Sequence, residues 1–378
     1  MTWRLFFVAG EESGDLHGAA LITALRQQEP TVACVGYGGS RMRDAGLQLR
    51  EDLVRLAGVG LDFLTSLPRF AALYRQALQA WERERPSAVV LIDYPGFNLH
   101  LAQAAKARKI PVIYFISPQV WAWGEQRVQL IRRVVDLMLV VFRFEEVFYR
   151  ERGVPVTFVG HPLLDAAAPT VPRDTFLTSL GLSPQQPTLA LLPGSRRTEV
   201  LRHLPTLLAT FRALAQQLPL LQGLLVRSSS VSQEYVQPAI ARAGLRIVVV
   251  EHHVAECLAS ARAALVASGT ATLQAALLQC PMVIVYQTSW LTYLLARRMV
   301  KLPYIGLVNV VAGRPIVPEY IQHQAQPQRL VPVLHQLLTD PAQREVQKQS
   351  FLHLRTQLGK PGACARAAHE ILSYLAHR

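Results

Sequence analysis

The sequence predicts an α/β protein built from two doubly wound parallel sheets, and three observations carry that reading. Short apolar runs, each followed by a Gly-containing loop and then a helical pattern, recur from end to end, which is the signature of stacked βα units. Proline density peaks mid-chain, at Asp165-Ala-Ala-Ala-Pro-Thr-Val-Pro-Arg173 and again at Leu182-Ser-Pro-Gln-Gln-Pro187, where the periodicity is lost. The chain has 378 residues, 51% hydrophobic and 17% charged, too many for one small core and too apolar for disorder.

The strand candidates of the first sheet are Leu5 to Ala9, Ala33 to Val35, Val89 to Ile92, Val112 to Phe115, Leu137 to Val141 and Thr157 to Val159. Those of the second are Leu189 to Leu192, Gly223 to Val226, Ile247 to Glu251, Ala264 to Val266 and Met282 to Tyr286. Domains at 1–170 and 171–345 follow, with a helical tail at 346–378, broken by Gly359-Lys-Pro361-Gly362, that is expected to pack back on the body. Two such domains facing each other would bring the carboxyl ends of two sheets together across a cleft, where open α/β sheets bind ligands.

Composition narrows the partners. Lys plus Arg number 39 and Asp plus Glu 26, a difference of +13, so the surface should attract phosphates, anionic lipid or nucleic acid. The four cysteines, Cys34, Cys257, Cys280 and Cys364, form no Cys-x-x-Cys or Cys/His cluster, so neither a disulfide framework nor a zinc site is expected, and a reducing cytoplasm fits. Met-Thr-Trp-Arg runs straight into a strand, which implies no cleavable leader. Arg132, Arg133 and Asp136, and Arg297, Arg298 and Lys301, interrupt the two most apolar stretches, so a soluble or peripheral protein is expected.

The loops after the strands carry the candidate chemistry. Pro193-Gly194-Ser195-Arg196 ends the first strand of the second domain and opens a helix, so Gly194 would allow close backbone approach, Ser195 would donate and the Arg196 guanidinium would match a diphosphate. Ser268-Gly269-Thr270-Ala271 opens another helix, whose unpaired N–H groups favour an anion. Each could instead be a plain capping turn. No Asp-x-Asp occurs anywhere, which speaks against a metal-dependent glycosyl transfer. Neither a metal nor a cofactor is expected.

In the first domain, Gly10-Glu11-Glu12-Ser13-Gly14-Asp15 carries carboxylates ahead of a helix, suited to sugar hydroxyls or proton transfer, or simply to stabilising a helix N-terminus. Asp93, at the end of the apolar run Val89 to Ile92 and before Tyr94-Pro95-Gly96-Phe97-Asn98, is placed as a general base, with an Asx turn as the alternative. Ser117-Pro-Gln-Val-Trp121-Ala-Trp123 could line a sugar or acyl pocket or pack ordinarily, and His161 could bind phosphate or satisfy a turn. Apolar residues at helical spacing from Phe63, Leu64 and Leu67 through Phe70, Tyr74 and Leu78, approached by Gly58, Val59 and Leu61, make a greasy stripe, and Trp290 to Lys301 makes a second. Either suits a membrane surface or burial against a sheet.

Taken together, Gly10-Glu-Glu-Ser-Gly-Asp15, Asp93-Tyr-Pro-Gly-Phe-Asn98, the Ser117 to Trp123 run, Gly160-His-Pro162, Leu192-Pro-Gly-Ser-Arg196, Ser268-Gly-Thr270 and Asn309 through Gln322 resemble the lipid-A-disaccharide synthase family over nearly the whole chain. The resemblance implies an inverting glycosyltransferase of GT-B type. Diacylglucosamine would move from UDP to a diacylglucosamine 1-phosphate, giving a β-1,6-linked disaccharide and UDP. It also implies a cytoplasmic protein, peripheral on the inner membrane, with no nucleic-acid partner, and leaves a homodimer open.

Mapped residue by residue, the resemblance makes Asp93 the base, with Glu11 beside it. Gly194, Ser195, Arg196, Ser268, Gly269, Thr270, Ala271, Gln274 and Asn309 would hold UDP in the second domain. Ser13, Gly14, Asp15, Asn98, Trp121, Glu319 and Gln322 would line the substrates, with the acceptor in the first domain. Two positions depart from the family pattern: Gly96 stands for an Asp, and Gln274 for a Glu expected on ribose hydroxyls. Three other functions are compatible with two such domains. An oxidoreductase is disfavoured because Val35-Gly36-Tyr-Gly38-Gly39-Ser lacks the third glycine of the dinucleotide fingerprint. A UDP-sugar epimerase of the same fold and a non-catalytic lipid- or nucleic-acid-binding protein are the others.

Overall fold

The computed structural model describes residues 3–58, 63–166, 168–228, 231–299 and 302–378. The chain divides into two compact units, Met1–Asp165 with Leu358–Arg378, and Ala166–Gln357. Each is an all-parallel sheet flanked by helices. The first carries β1 (Arg4–Ala9), β2 (Ala33–Gly38), β3 (Gln48–Asp52), β4 (Ala88–Ile92), β5 (Val112–Phe115), β6 (Leu137–Val140) and β7 (Val156–Phe158), in the order β3-β2-β1-β4-β5-β6-β7. The second carries β8 (Thr188–Leu192), β9 (Gln222–Arg227), β10 (Ile247–Glu251), β11 (Ala263–Ala267), β12 (Met282–Tyr286) and β13 (Glu319–Ile321), in the order β10-β9-β8-β11-β12-β13.

The central strands are apolar on both faces because helices cover both sides, as a parallel sheet requires. Every residue of β4, β8 and β11 is buried. In the first unit Phe6 anchors the core, edge-on to Tyr37 at 5.4 Å and to Trp81 at 5.7 Å. In the second, Phe211, Leu204 and Leu207 of the helix Arg197–Gln217 pack on β8 and β11 residues such as Leu191 and Leu265.

Two strands escape the sequence reading. β3 spells Gln-Leu-Arg-Glu-Asp at a half-exposed edge, and β13 is only three residues at the opposite edge of its sheet. Edge strands need no double-sided apolar run, so neither shows one.

The tail also departs from expectation, since it is shared between the units. The helix Pro341–Gln357 belongs to the second, where Gln347 Oε1 accepts from Met282 N at 2.8 Å and its Nε2 donates to Met282 O at 3.2 Å. The helix Ala363–Ala376 packs on Glu12–Gln28 of the first, with Gln28 Nε2 donating to Ala365 O at 2.8 Å. Asp165 Oδ1 receives Gly362 N at 2.7 Å, and the Arg366 guanidinium donates to the carbonyls of Val159, Lys360 and Pro361. These long-range bonds place the first boundary at Asp165 rather than at 170.

The greasy stripe on Phe63–Glu84 turns inward where it is described: Leu73, Ala77 and Trp81 are buried, and Phe70, Tyr74 and Leu78 pack against the first unit's core. Residues 59–62, and the side chains of Gly58, Phe63, Leu64 and Leu67, lie outside the described residues. The second stripe behaves differently. On Trp290–Met299, Trp290 is 62% and Leu294 52% exposed, and Arg297 and Arg298 are exposed beside them. Among the described residues no helix is long and apolar enough to cross a membrane.

Candidate active site

In each sheet one pair of neighbouring strands sends its crossovers to opposite sides, and ligands of open α/β sheets bind at the carboxyl ends of such a pair. The pairs are β1 with β4 and β8 with β11. The loops at those ends are Gly10–Glu11 with Asp93–Tyr94 in the first unit, and Pro193–Arg196 with Ser268–Thr270 in the second.

The turn at Asp93 is strained. Asp93 (φ 46°), Tyr94 (φ 49°) and Ile116 (φ 62°) at the ends of β4 and β5 all sit in the left-handed region, which a β-branched residue almost never enters. Strain of this kind persists only where surrounding contacts enforce it, and it concentrates at functional sites. Here the contacts are visible. Asn98, fully buried, donates from Nδ2 to Asp93 O at 2.8 Å and to Ile92 O at 3.2 Å, and the Tyr114 hydroxyl donates to Asp93 O at 2.6 Å. Asn98 therefore holds the turn through its amide nitrogen, while its buried Oδ1 has no hydrogen-bond partner. Tyr94 lies over Gly10, where a Cβ would come within 2.5 Å of its ring, so the glycine joins the Asp93 turn to the Glu11 loop. Asp93 and Glu11 are both half-buried.

Asp15 is likewise occupied by protein. It is 4% exposed; Oδ1 accepts from Gly39 N at 2.8 Å and Met42 N at 3.0 Å, and Oδ2 from Arg41 N at 3.1 Å. It fastens the loop after β2; Gly14 beside it is buried, and Ser13 is part-exposed.

Trp121 is half-buried on the short helix Val120–Trp123, its ring edge-on to Phe144 at 4.9 Å. Its Nε1 donates to Glu145 Oε1 at 3.0 Å, the same oxygen that accepts from the Ser117 hydroxyl at 2.7 Å, while Oε2 accepts from Phe142 N at 3.2 Å. Glu145 is 1% exposed, and burial pushes its pKa up to about 7 against these stabilising bonds. The sequence reading passed over Glu145, because an acid in the first turn of a helix reads as a favourable charge at its N-terminus. The side chain of Trp123 lies outside the described residues.

His161 resolves toward the turn: its Nδ1 accepts from Leu163 N at 3.1 Å. Its ring lies 6.0 Å from that of His17, and both are buried. Burial, and then the neighbouring Arg41, lowers His17 to about 4; burial, and then His17, lowers His161 to about 3.

In the second unit Glu199 governs the first loop. Its Oε2 accepts from Ser195 N at 3.2 Å and Arg196 N at 3.4 Å, and Oε1 lies 3.6 Å from the exposed Arg196 guanidinium. The approach requires Gly194 at φ 117°, where a Cβ would sit 2.6 Å from Glu199 Oε2. A carboxylate thus already covers backbone donors that the sequence assigned to a diphosphate. Below it, fully buried His203 bridges two loops. Its Nε2 accepts from Gln287 N at 2.8 Å, so Nδ1 carries the hydrogen and donates to Pro193 O at 2.7 Å.

The helix Thr270–Leu277 leaves its N-terminal end open to a ligand. Gly269, Thr270, Ala271 and Gln274 are all part-exposed, and a Cβ on Gly269 would meet nothing within 4 Å. The first turn of a helix presents N–H groups that favour an anion, and of these Thr272 N donates to Gly269 O at 3.1 Å. Ser268 is partly engaged, its hydroxyl donating to Ile305 O at 2.7 Å.

Asn309, Glu319 and Gln322 form scaffolding. Asn309 is fully buried; Nδ2 donates to Val317 O at 2.8 Å and Glu319 Oε1 at 2.7 Å, and Oδ1 accepts from Ile316 N at 2.9 Å and Val317 N at 3.0 Å. Every hydrogen-bonding group of its side chain is thereby engaged, which removes it from direct contact with UDP. Glu319 takes Ile305 N at 2.9 Å and Gly306 N at 3.0 Å, opening the helix Leu307–Ala312. Gln322 pairs through both ends of its amide with Thr288, at 2.7 Å and 3.0 Å.

The comparisons with known proteins agree with this architecture. A family model described as "Lipid-A-disaccharide synthetase" matches residues 5–372. The chain belongs to the lipid-A-disaccharide synthase family. A synthase of Syntrophus aciditrophicus is 42% identical over 368 residues, 96% of each chain, and one of Geobacter sulfurreducens 40% identical over 373 residues, 98% of this chain and 97% of that one. Among solved structures, the S. aureus MnaA–UDP complex superposes with a TM-score of 0.71 at 15% identity, covering 99% of this chain and 97% of that chain. A Neisseria meningitidis UDP-GlcNAc 2-epimerase bound to UDP-GlcNAc gives 0.68 at 13%, covering both chains fully. At such identity these two share the fold alone with the synthase family.

The two depressed imidazoles of the first unit make its stability acid-sensitive. An imidazole buried in neutral form contributes its full stability above its ordinary pKa of 6.5 and loses it as pH falls toward the folded value of about 4 for His17. Replacing it by Leu removes that titration. Between pH 7 and pH 5 the stability difference between His17→Leu and the parent, read by denaturant unfolding with tryptophan emission, should move by about 2 kcal/mol in favour of the variant. A difference independent of pH would show that His17 titrates normally.

Proposed function

We propose that this chain is an inverting glycosyltransferase that moves 2,3-diacylglucosamine from UDP to 2,3-diacylglucosamine 1-phosphate. The product is the β-1,6-linked disaccharide 1-phosphate, with release of UDP. The observation that carries the reading is the strained, doubly fastened turn at Asp93, at the switch point of the first sheet in a chain of this family.

In this reading Asp93 accepts the proton of the acceptor's 6-hydroxyl as that oxygen bonds to the anomeric carbon. The bond from that carbon to the diphosphate breaks, and its electron pair leaves on UDP. Glu11, in the loop that Tyr94 joins to the Asp93 turn, assists, and the face of Trp121 supports the acceptor sugar. The second unit holds UDP. The first-turn N–H groups of Thr270–Leu277 and the Arg196 guanidinium take up the charge that develops on the leaving diphosphate. The diphosphate competes with Glu199 for Arg196, and Gln274 meets the ribose as a neutral donor and acceptor.

We also infer that the helix Trp290–Met299 lies on the inner-membrane surface. Its exposed Trp290 and Leu294 supply apolar area, and Arg297 and Arg298 supply charge complementary to anionic headgroups. The epimerase alternative is supported by likeness of fold only.

Purified full-length protein given UDP-diacylglucosamine and the 1-phosphate acceptor should yield the disaccharide, detected by mass, together with UDP. Asp93→Asn should lower kcat/KM by roughly 100-fold or more. Conversion of the UDP-sugar to an isomer without acceptor would instead establish an epimerase.

Co-sedimentation with vesicles containing anionic lipid should weaken about tenfold in Trp290→Ser/Leu294→Ser. Binding unchanged by that pair of substitutions would remove the helix from the membrane contact.

A further inference from the structure

The helix Arg143–Glu151, which follows β6, grips the loop after the neighbouring β5 with two side chains one turn apart. Glu145 collects the Ser117 hydroxyl and the Trp121 indole N–H on one oxygen and the Phe142 backbone on the other. Tyr149, fully buried, donates its hydroxyl to Pro118 O at 3.1 Å. Phe144, the residue before Glu145, meets the Trp121 ring edge-on and stacks on Phe142 at 5.6 Å.

Packing alone does not call for this arrangement. A carboxyl at 1% exposure is costly to keep, and apolar residues of similar volume would fill the space without leaving donors to satisfy. What a shared acceptor provides is orientation. With Nε1 tied and the ring edge fixed by Phe144, the half-buried indole has one plane available to a ligand. The same loop follows β5, whose end includes Ile116 in its left-handed conformation, and Ile116 O and Phe115 O both lie 3.3 Å from Asp93 N. The loop that carries Trp121 thus begins beside the Asp93 turn.

We propose that Glu145 is a positioning residue for acceptor recognition, fixing the Trp121 ring plane through the Ser117–Glu145–Trp121 bonds so that it supports the acceptor sugar. The proposal rests on the glycosyltransferase reading above. Tyr149 serves as the second anchor of the same loop, and burial, followed by the charge of Glu145, drives its hydroxyl pKa far up, so that it remains a donor throughout the working range.

The test is steady-state kinetics of the full-length enzyme with donor and acceptor varied separately. Glu145→Ala should raise the acceptor KM by about tenfold, while the donor KM and kcat stay within about twofold of the parent. Glu145→Gln, which keeps an acceptor for Ser117 and Trp121, should fall between the two. In a Trp121→Phe background, Glu145→Ala should add less than about twofold, because the group it positions is gone.

Ser117→Ala, a milder cut of the same network, carries the test if Glu145→Ala proves unfolded by circular dichroism, and should raise the acceptor KM alone. An unchanged acceptor KM in a folded variant, or equal losses in both KM values and kcat, overturns the proposal. A parent enzyme that makes no disaccharide overturns the underlying reading instead.

Discussion

Buried side chains that grip the backbone of a neighbouring loop hold the carboxyl edge of both sheets in shape. In the first unit Asp15 fastens the loop after β2, Asn98 and Tyr114 fasten the turn after β4, and Glu145 and Tyr149 fasten the loop after β5. In the second, His203 ties the loops after β8 and β12, Gln322 ties β13 to Thr288, and Glu319 with Asn309 closes the segment from Ile305 to Val317. Each such bond contributes only about 1 kcal/mol net, but its loss strands a buried donor or acceptor at about 1–3 kcal/mol. Asn309, with four such contacts, is correspondingly expensive to replace.

These ties engage Asp15, the amide nitrogen of Asn98, Asn309 and Gln322, and cover part of the backbone around Arg196. Part-exposed or exposed at the two switch points are Glu11, Ser13 and Asp93 in one unit, and Ser195, Arg196, Ser268 to Ala271 and Gln274 in the other. Proton abstraction calls for a carboxylate, which the first unit carries, and a departing diphosphate for cationic or dipolar groups, which the second unit carries.

The alternation of apolar runs and helices was enough to read the two sheets, because strands buried on both faces must be continuously apolar. β3 and β13 were missed for the converse reason, and the division of the tail was missed because Asp165–Gly362 and Arg366–Val159 are contacts between distant positions that no local pattern records. At the site, the loops were legible as loops after strands, and Asp93 stood out at the end of a strongly apolar run. The roles of Asn309, Glu319 and Gln322 were not, since a polar side chain satisfied by backbone and one that meets a ligand look alike in sequence. Glu145 and His203 were invisible for the same reason, each appearing as an ordinary polar residue in the first two turns of a helix.

We propose that the second unit binds its nucleotide at the N-terminal end of Thr270–Leu277, on a frame held by Asn309 and Glu319. Amide hydrogen exchange with and without uridine diphosphate tests it most directly. The account predicts that UDP slows exchange at Gly269 to Thr272, whereas Ile316 and Val317, held by Asn309, exchange slowly in both states. Rapid exchange at Ile316 and Val317 that becomes slow only with UDP, with no change at Gly269 to Thr272, would contradict it.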